Sequence, residues 1–269
     1  MSLLILPVSY YNIFAALYGV MGKFSSFTMV NSSWTRDHIR ALWNPNRLEL
    51  VYPPCDTTGL KALPLEGKSR MSVVSIAQFR PEKNHSLQVS IIDHLLKHRN
   101  QQHQFDNVVL YMIGSLRTGN EEDAKLVESL RTLITARGLE KHIVIATGVS
   151  NDELKNYFAK CSVGLHTMSH EHFGIGIVEL QAAAVVPLTH NSAGPKADIV
   201  VEGTGMLAST VEEYTDKLAQ LLTMDQKSWT KMAISARENA SRFSDEAFVH
   251  HIQKCFEQIQ PIKKQIGRG

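Results

Sequence analysis

The stretch VVSIAQFRPEKNHSLQVSIIDHLL, residues 73–96, changes from one periodicity to another within a single run of sequence. Its first five residues are mostly apolar, as in a short buried strand. After Pro81, apolar side chains recur at helical spacing at Leu87, Ile91 and Leu95, which predicts an amphipathic helix. A buried strand followed directly by a helix is the first half of a βαβ unit. The stretch therefore predicts a parallel sheet covered by helices.

The same alternation continues along the rest of the chain. Further apolar strands are predicted at residues 108–113, 142–147, 163–166 and 185–190. Helices are predicted at about residues 121–137, after Ser150, after Gly174, from Pro195, at residues 211–222, and twice within residues 228–260. Ser150 and Glu153 have the spacing of a capping box. This order indicates an α/β fold with a doubly wound parallel sheet, a Rossmann-like domain.

Composition narrows the class of protein. The 269 residues are 43% hydrophobic and 20% charged, which is typical of a globular protein with a substantial core. The formal charge is +2 and the basic residues are scattered, so nucleic acid is not an expected partner. Cys55, Cys161 and Cys255 are far apart, which argues against a disulfide framework or a zinc ribbon and favours a reducing compartment.

The first 56 residues lack a clear domain pattern. Residues 1–23 are strongly apolar but are interrupted at residues 9–12, and they carry no basic leader, so neither a membrane-spanning helix nor a signal peptide is expected. Residues 13–21 have the spacing of an amphipathic helix that packs on protein or on a membrane surface. The stretch NPNRLELVYPPCD, residues 44–56, predicts a linker that leads into a domain.

The loops that follow the predicted strands are the candidate binding sites, because ligands of such sheets bind at the carboxyl ends of the strands. Arg80 and Lys83 follow the first strand and lie beside a helix start. Two cations and free backbone amides favour an anionic group such as phosphate. The alternative is an ordinary solvated helix N-terminus. A dinucleotide oxidoreductase is disfavoured, because this loop lacks a glycine fingerprint.

A second loop, SHEHFGIGIVEL at residues 169–180, adds carboxylates to a glycine-containing helix start. Gly174 allows close backbone approach, and the helix that begins near Ile175 directs its positive end at the ligand site. Glu171 precedes this helix and Glu179 lies about one turn inside it, so the two can reach different parts of one elongated ligand. Carboxylates accept hydrogen bonds from hydroxyls, and a nucleoside diphosphate sugar would use all of these groups.

The motifs resemble a known family. Glu171, seven intervening residues and Glu179 match the E-x7-E signature of retaining glycosyltransferases with two facing Rossmann domains, the GT-B fold. The resemblance is closer to the GDP-mannose-dependent α-1,2-mannosyltransferases that extend the dolichol-linked oligosaccharide of asparagine-linked glycosylation. It covers the chain from about Val30 to the end, and the motifs that carry it are VNSSWT (30–35), SIAQFRPEKNH (75–85), EHFGIGIVE (171–179) and HNSAGPKADIVV (190–201).

This resemblance implies roles for individual residues. Arg80 and Lys83 would neutralise the GDP diphosphate as mannose leaves, and Glu171 would contact mannose hydroxyls. The other implied donor contacts are the backbone amides of Phe173, Gly174 and Ile175, the ribose contact of Glu179, and a position near guanine for Gly114 and Gly148. No metal cofactor is implied, because the sequence has no Asp-x-Asp and fixed cations can stabilise the departing diphosphate.

The resemblance also implies a division of the chain and its partners. Residues 1–48 would be a remnant of the N-terminal acceptor domain with its linker, and residues 49–269 the C-terminal nucleotide-sugar-binding half of a GT-B fold. The implied partners are GDP-mannose, a dolichol-diphosphate-linked oligosaccharide, and a membrane surface or other N-glycan assembly enzymes, on the cytosolic face of the endoplasmic reticulum membrane. The alternative is a truncated, non-catalytic nucleotide-sugar-binding or interaction module.

Three positions depart from the family pattern. Alanine replaces a family glycine at Ala184 and Ala193, and serine replaces one at Ser115. Ala184 follows the motif helix, where we expect a left-handed backbone that costs about 1 kcal/mol for alanine.

Other residues have competing interpretations. His166, His170 and His172 lie near Glu171, but their uneven spacing is weak evidence for zinc. Cys161 is expected to be a core residue rather than a nucleophile. The stripe of leucines within residues 218–222 is also expected in the core.

Overall fold

The computed structural model describes the backbone of residues 5–266 and the side chains of residues 10–259. The chain forms two compact units. The larger contains residues 55–244, and the smaller combines residues 1–54 with residues 245–269. The predicted division between an acceptor remnant and a donor domain after residue 48 concerns function, and it stays a prediction.

The strands within residues 5–266 are three to eight residues long. They are β1 (Thr28–Val30), β2 (Leu48–Leu50), β3 (Ser69–Ile76), β4 (Val109–Gly114), β5 (Ile143–Thr147), β6 (Cys161–Leu165), β7 (Val186–His190) and β8 (Met206–Ala208). In the larger unit, β3 to β8 form one sheet in the order β5-β4-β3-β6-β7-β8, and every pairing is parallel. The predicted doubly wound parallel sheet is confirmed. Strand β8 was not predicted, because three residues are too few to show a periodicity.

Helices connect the strands. Over the same residues they are α1 (Ile5–Gly22), α2 (Ser33–Trp43), α3 (Thr58–Lys61), α4 (His85–His98), α5 (Glu121–Ala136), α6 (Asn151–Lys160), α7 (Ile175–Ala182), α8 (Val211–Thr223), α9 (Gln226–Asn239) and α10 (Asp245–Ile266). The capping box predicted at Ser150 and Glu153 is present at the start of α6. Pro195 begins only a five-residue π-helix, Pro195–Ile199.

The core of the larger unit lies between the sheet and its helices. Apolar side chains of β3, β4, β6 and β7 are buried against those of α4, α5, α8 and α9. Leu218, Leu221 and Leu222 of α8 are at most 2% exposed, and Cys161 is fully buried, as expected. Each such leucine stabilises the fold by roughly 1.5–3 kcal/mol through burial.

The smaller unit contains a parallel pair of strands, β1 and β2, and the helices α1, α2 and α10. The helix predicted at residues 13–21 is found within α1, which packs on α2 with the rings of Tyr18 and Trp43 5.0 Å apart. Its predicted apolar face is not buried, because Ile13, Leu17 and Met21 are each more than half exposed. The helix is therefore confirmed and its amphipathic packing is not. The stretch predicted as a linker, residues 44–56, contains β2 and is therefore partly ordered sheet. Among the described residues, no helix combines the length and the apolar character needed to cross a bilayer.

Candidate active site

Two predicted site residues meet at the carboxyl ends of neighbouring strands. Strand β3 pairs with β6, so the loop that carries Lys83 lies beside the loop that carries Glu171. Lys83 Nζ donates to Glu171 Oε2 over 2.5 Å. The two side chains are only 21% and 16% exposed. The structure therefore brings a cation and a carboxylate, 88 residues apart in sequence, into one partly buried ion pair.

The charge of Glu171 follows from its neighbours. Burial raises the pKa of this carboxyl, but hydrogen bonds from His166 and Lys83 outweigh burial and lower the pKa to about 2. His166 Nε2 lies 3.4 Å from the same carboxylate oxygen that contacts Lys83. Glu171 is consequently ionised at neutral pH and can accept hydrogen bonds from a ligand through its other oxygen.

Helix α7 begins directly after this loop. Gly174 is its N-cap with a φ of 110°, a conformation that L side chains rarely adopt, and no side chain caps the first turn. Phe173 is buried, with its ring edge-on to Phe243 at 5.3 Å, whereas Ile175 is 45% exposed. The first-turn amides and the positive end of the helix dipole therefore favour an anion at this point.

Glu179 lies one turn inside α7, as predicted. Its carboxyl is partly buried, and burial together with the negative charge of Asp56 raises its pKa. A ligand hydroxyl that donates a hydrogen bond to Glu179 would offset this effect of burial, because it would stabilise the charged form of the carboxyl.

Arg80 is placed differently from Lys83. Its Nη1 lies 3.8 Å from Glu82 Oε1, and among the described side chains no other carboxylate forms an ion pair with it. Its positive charge helps to lower the pKa of Asp123 to about 2, although hydrogen bonds from Arg117 are the main cause. Arg80 thus lies towards the loop that follows β4, and the structure does not bring it against Glu171.

A cavity of about 290 Å³ opens at the carboxyl ends of β3, β4 and β5. Gly114 is required by close packing, because a Cβ there would lie 2.0 Å from the carbonyl oxygen of Ala77. Gly114 and Gly148 both line the cavity, and polar side chains line it too, among them those of Gln78, Ser115 and Asn151. Its size is near the lower end, about 300 Å³, of pockets that bind small molecules.

Sequence reasoning missed a buried polar network beneath the ion pair. Thr167 is 1% exposed, and its Oγ1 lies 2.9 Å from the carbonyl oxygen of Lys83 and 3.1 Å from that of Asn84. Gln88 Nε2 donates to the same hydroxyl over 3.0 Å. The only sequence signal was the position of His166 and Thr167 at the end of a strand, just before the E-x7-E motif.

The histidines near Glu171 do not form an evident metal centre. Within the part of the chain that the structure describes, no group of three or more histidine, cysteine, aspartate or glutamate side chains is placed to hold a metal ion. A further histidine in this region, His190, forms a hydrogen bond with Ser192, with its Nδ1 2.8 Å from Oγ.

Comparison with known proteins connects this geometry to a family. The family model described as "Glycosyl transferases group 1" matches residues 61–242, which include every residue of the proposed donor site. The chain belongs to glycosyl transferases group 1. A second model, "ALG11 mannosyltransferase N-terminus", matches residues 3–43.

The chain is similar to curated members of this family. A Dictyostelium discoideum protein named GDP-Man:Man(3)GlcNAc(2)-PP-Dol alpha-1,2-mannosyltransferase is 43% identical over 268 residues, which cover 97% of this chain and 52% of that protein. The human protein of the same name is 42% identical over 92% of this chain and 52% of its own length. The resemblance inferred from the motifs is confirmed. The chain spans about half the length of these relatives.

Solved glycosyltransferase structures share the fold. A glycosyltransferase from Rickettsia africae superposes with a TM-score of 0.75 over 94% of this chain and 68% of its own, at 17% identity. Sucrose-phosphate synthase from Thermosynechococcus elongatus gives a TM-score of 0.75 over 93% and 62%, at 15% identity. At this identity the likeness supports the architecture expected for a group 1 glycosyltransferase and nothing finer.

Proposed function

We propose that this chain is the donor-binding part of a mannosyltransferase that uses GDP-mannose. The reaction would transfer mannose to a dolichol-diphosphate-linked oligosaccharide in an α-1,2 linkage, with retention at the anomeric carbon, during assembly of the N-glycan precursor. Support comes from membership of glycosyl transferases group 1 and from the names of relatives that match almost the whole chain. We place the reaction at the cytosolic face of the endoplasmic reticulum membrane.

The observation that carries the proposal is the contact between Lys83 and Glu171 beside the N-terminus of α7. A diphosphate at this helix end would meet Lys83 and the amides of Phe173, Gly174 and Ile175. Glu171 would accept hydrogen bonds from mannose hydroxyls. The remaining proposed contacts are Arg80 with the diphosphate, Glu179 with the ribose, and the cavity at Gly114 and Gly148 with guanine.

These residues suit the chemistry of glycosyl transfer. The bond between the mannose anomeric carbon and the diphosphate oxygen breaks, and its electron pair passes to the diphosphate. The acceptor hydroxyl oxygen forms the new bond to the anomeric carbon, and its proton passes to the departing diphosphate oxygen. Fixed cations and helix amides stabilise the negative charge that develops on the leaving group, so we propose no metal cofactor.

Calorimetric titration with GDP and with GDP-mannose, alongside a mannose-transfer assay on a dolichol-type acceptor, tests the proposal. Binding of both ligands together with transfer is the expected result. Binding without transfer would support the alternative of a non-catalytic nucleotide-sugar-binding module. No binding of either ligand would refute both functions.

Two variants test the division of roles. Lys83→Ala should weaken GDP binding by roughly tenfold or more, because it removes a charge-assisted contact. Glu171→Ala should reduce the preference for GDP-mannose over GDP, because GDP lacks the sugar. Lys125→Ala is a matched control, since Lys125 is 76% exposed and, among the described side chains, forms an ion pair only with Glu121 one helical turn away. An equal loss of GDP affinity in Lys83→Ala and Glu171→Ala would show that the assigned roles are wrong.

A further inference from the structure

We propose that His166 and Thr167, which follow β6, are positioning residues that hold the Lys83 loop and the Glu171 carboxylate against each other. The inference rests on the proposed donor-binding function and adds two residues to it. Neither residue needs to touch the ligand. One acts on the carboxylate through its side chain, and the other acts on the backbone that carries the lysine.

Thr167 acts on the lysine loop. Its hydroxyl bridges the carbonyl oxygens of Lys83 and Asn84 on one side and Gln88 Nε2 on the other. Thr167 and Gln88 are each 1% exposed, so the hydrogen bond between their side chains is buried, whereas the two hydrogen bonds to the loop carbonyls are partly buried. The hydroxyl thus ties two consecutive carbonyls of the loop to a buried side chain, which makes it an effective anchor for the loop.

His166 acts on the carboxylate. Its Nε2 lies 3.4 Å from Glu171 Oε2, while its Nδ1 is buried and makes no hydrogen bond to any described residue. The neutral tautomer with the proton on Nε2 suits this arrangement, because it directs a donor at the carboxylate and leaves no buried N–H unpaired. Tyr214 Oη donates to the carbonyl oxygen of His166 over 2.9 Å and fixes the backbone.

Such anchoring matters because the ion pair alone does not define geometry. Lysine has a flexible stem and a compact charge, so its Nζ can follow Glu171 through many backbone positions. A displacement of about 1 Å is enough to impair the alignment of a reacting group. Consecutive residues of one strand end therefore set the spacing of two groups that come from different loops.

Thr167→Val tests the anchor, because valine keeps the shape and removes the hydroxyl. We expect GDP binding to weaken roughly fivefold, as for the loss of one hydrogen bond, and Thr167→Ser to restore it. Thr189→Val is the matched control. Thr189 lies in the neighbouring strand β7, is fully buried, and its Oγ1 makes no hydrogen bond among the described residues.

His166→Leu and His166→Gln test the second contact. Leucine removes the donor to Glu171, so the preference for GDP-mannose over GDP should fall roughly fivefold, with a smaller loss of GDP affinity. Glutamine can still donate to the carboxylate and should recover part of that preference.

A measurement without ligand separates this inference from the proposed function. The Glu171 carboxyl carbon is followed by NMR during a pH titration and is assigned by its absence in Glu171→Gln. In Thr167→Val and in His166→Leu, the titration midpoint should rise, because a donor to the carboxylate is displaced or lost. If wild type fails to bind GDP, the proposed function fails and this titration still decides the inference.

Two results would overturn the positioning role. One is an unchanged Glu171 midpoint in both Thr167→Val and His166→Leu, both folded by circular dichroism. The other is a Thr189→Val variant that loses as much GDP affinity as Thr167→Val, which would show a general packing effect.

Discussion

Ala184, two residues after the end of α7, allows a sharp test of backbone strain. Its φ is 53°, in the left-handed region, whereas the preceding Ala183 has a φ of −76°. Both side chains are fully buried. The same substitution to glycine can therefore be compared in two backbone conformations at neighbouring positions, with burial held constant.

The expected magnitudes follow from three effects. Glycine at either position loses a buried methyl group, about 0.8 kcal/mol. It also increases the freedom of the unfolded chain, which costs roughly 0.4–1 kcal/mol. Ala183→Gly should therefore destabilise the protein by about 1–2 kcal/mol. At Ala184 the relief of left-handed strain, roughly 1–2 kcal/mol, offsets these losses. Ala184→Gly should change stability little.

The assay is urea unfolding of the two variants and wild type. Their free energies of unfolding are compared provided that the slope of the free energy against urea concentration is the same for all three proteins. We expect Ala184→Gly to be more stable than Ala183→Gly by about 1–2 kcal/mol. Equal destabilisation by both variants would refute the reasoning, because it would show that the backbone conformation at Ala184 carries no cost.

Three further predictions concern the site and its support. In a double-mutant cycle of Lys83→Met and Glu171→Gln at pH 7, we expect a coupling free energy of about 1–3 kcal/mol, and a value near zero would contradict the ion pair. The folded pKa of Glu171, about 2, lies below its ordinary value of 4.5, so its stabilising contribution is present above pH 4.5 and is lost as pH falls towards 2. Glu171→Gln should flatten this acid limb of the stability profile. Ser150→Ala should lower the free energy of unfolding, measured by thermal unfolding, by about 1 kcal/mol through loss of the α6 cap. Ser150→Thr should retain most of the stability that the cap contributes.

Short-range patterns were sufficient for much of the fold. The strands predicted at residues 73–77, 108–113, 142–147, 163–166 and 185–190 correspond to β3 to β7. The capping box of α6 was also readable, because a cap depends on residues only three positions apart. The left-handed backbone expected at Ala184 from the family resemblance is confirmed by its φ of 53°. Short elements such as β2 and β8 were missed, because three residues carry too little pattern.

The geometry of the site could not be predicted from the sequence in the same way. Arg80 and Lys83 are three residues apart and were assigned one role, yet only Lys83 contacts Glu171. The positions of His166 and Thr167 in sequence gave no indication that one faces a carboxylate and the other anchors the lysine loop. Side-chain direction at a strand end depends on what packs against it, and that partner is distant in sequence.

The sequence by itself determined the alternation of β3 to β7 with their helices, the cap of α6 and the spacing of Glu171 and Glu179 on one helix start. Those features arise from backbone sterics and hydrogen bonds within a few residues. Only the tertiary structure decided that β3 lies beside β6 although β4 and β5 intervene along the chain. That choice closes long loops at an entropic cost, which burial of the shared apolar core offsets. The contact between Lys83 and Glu171 exists because of it.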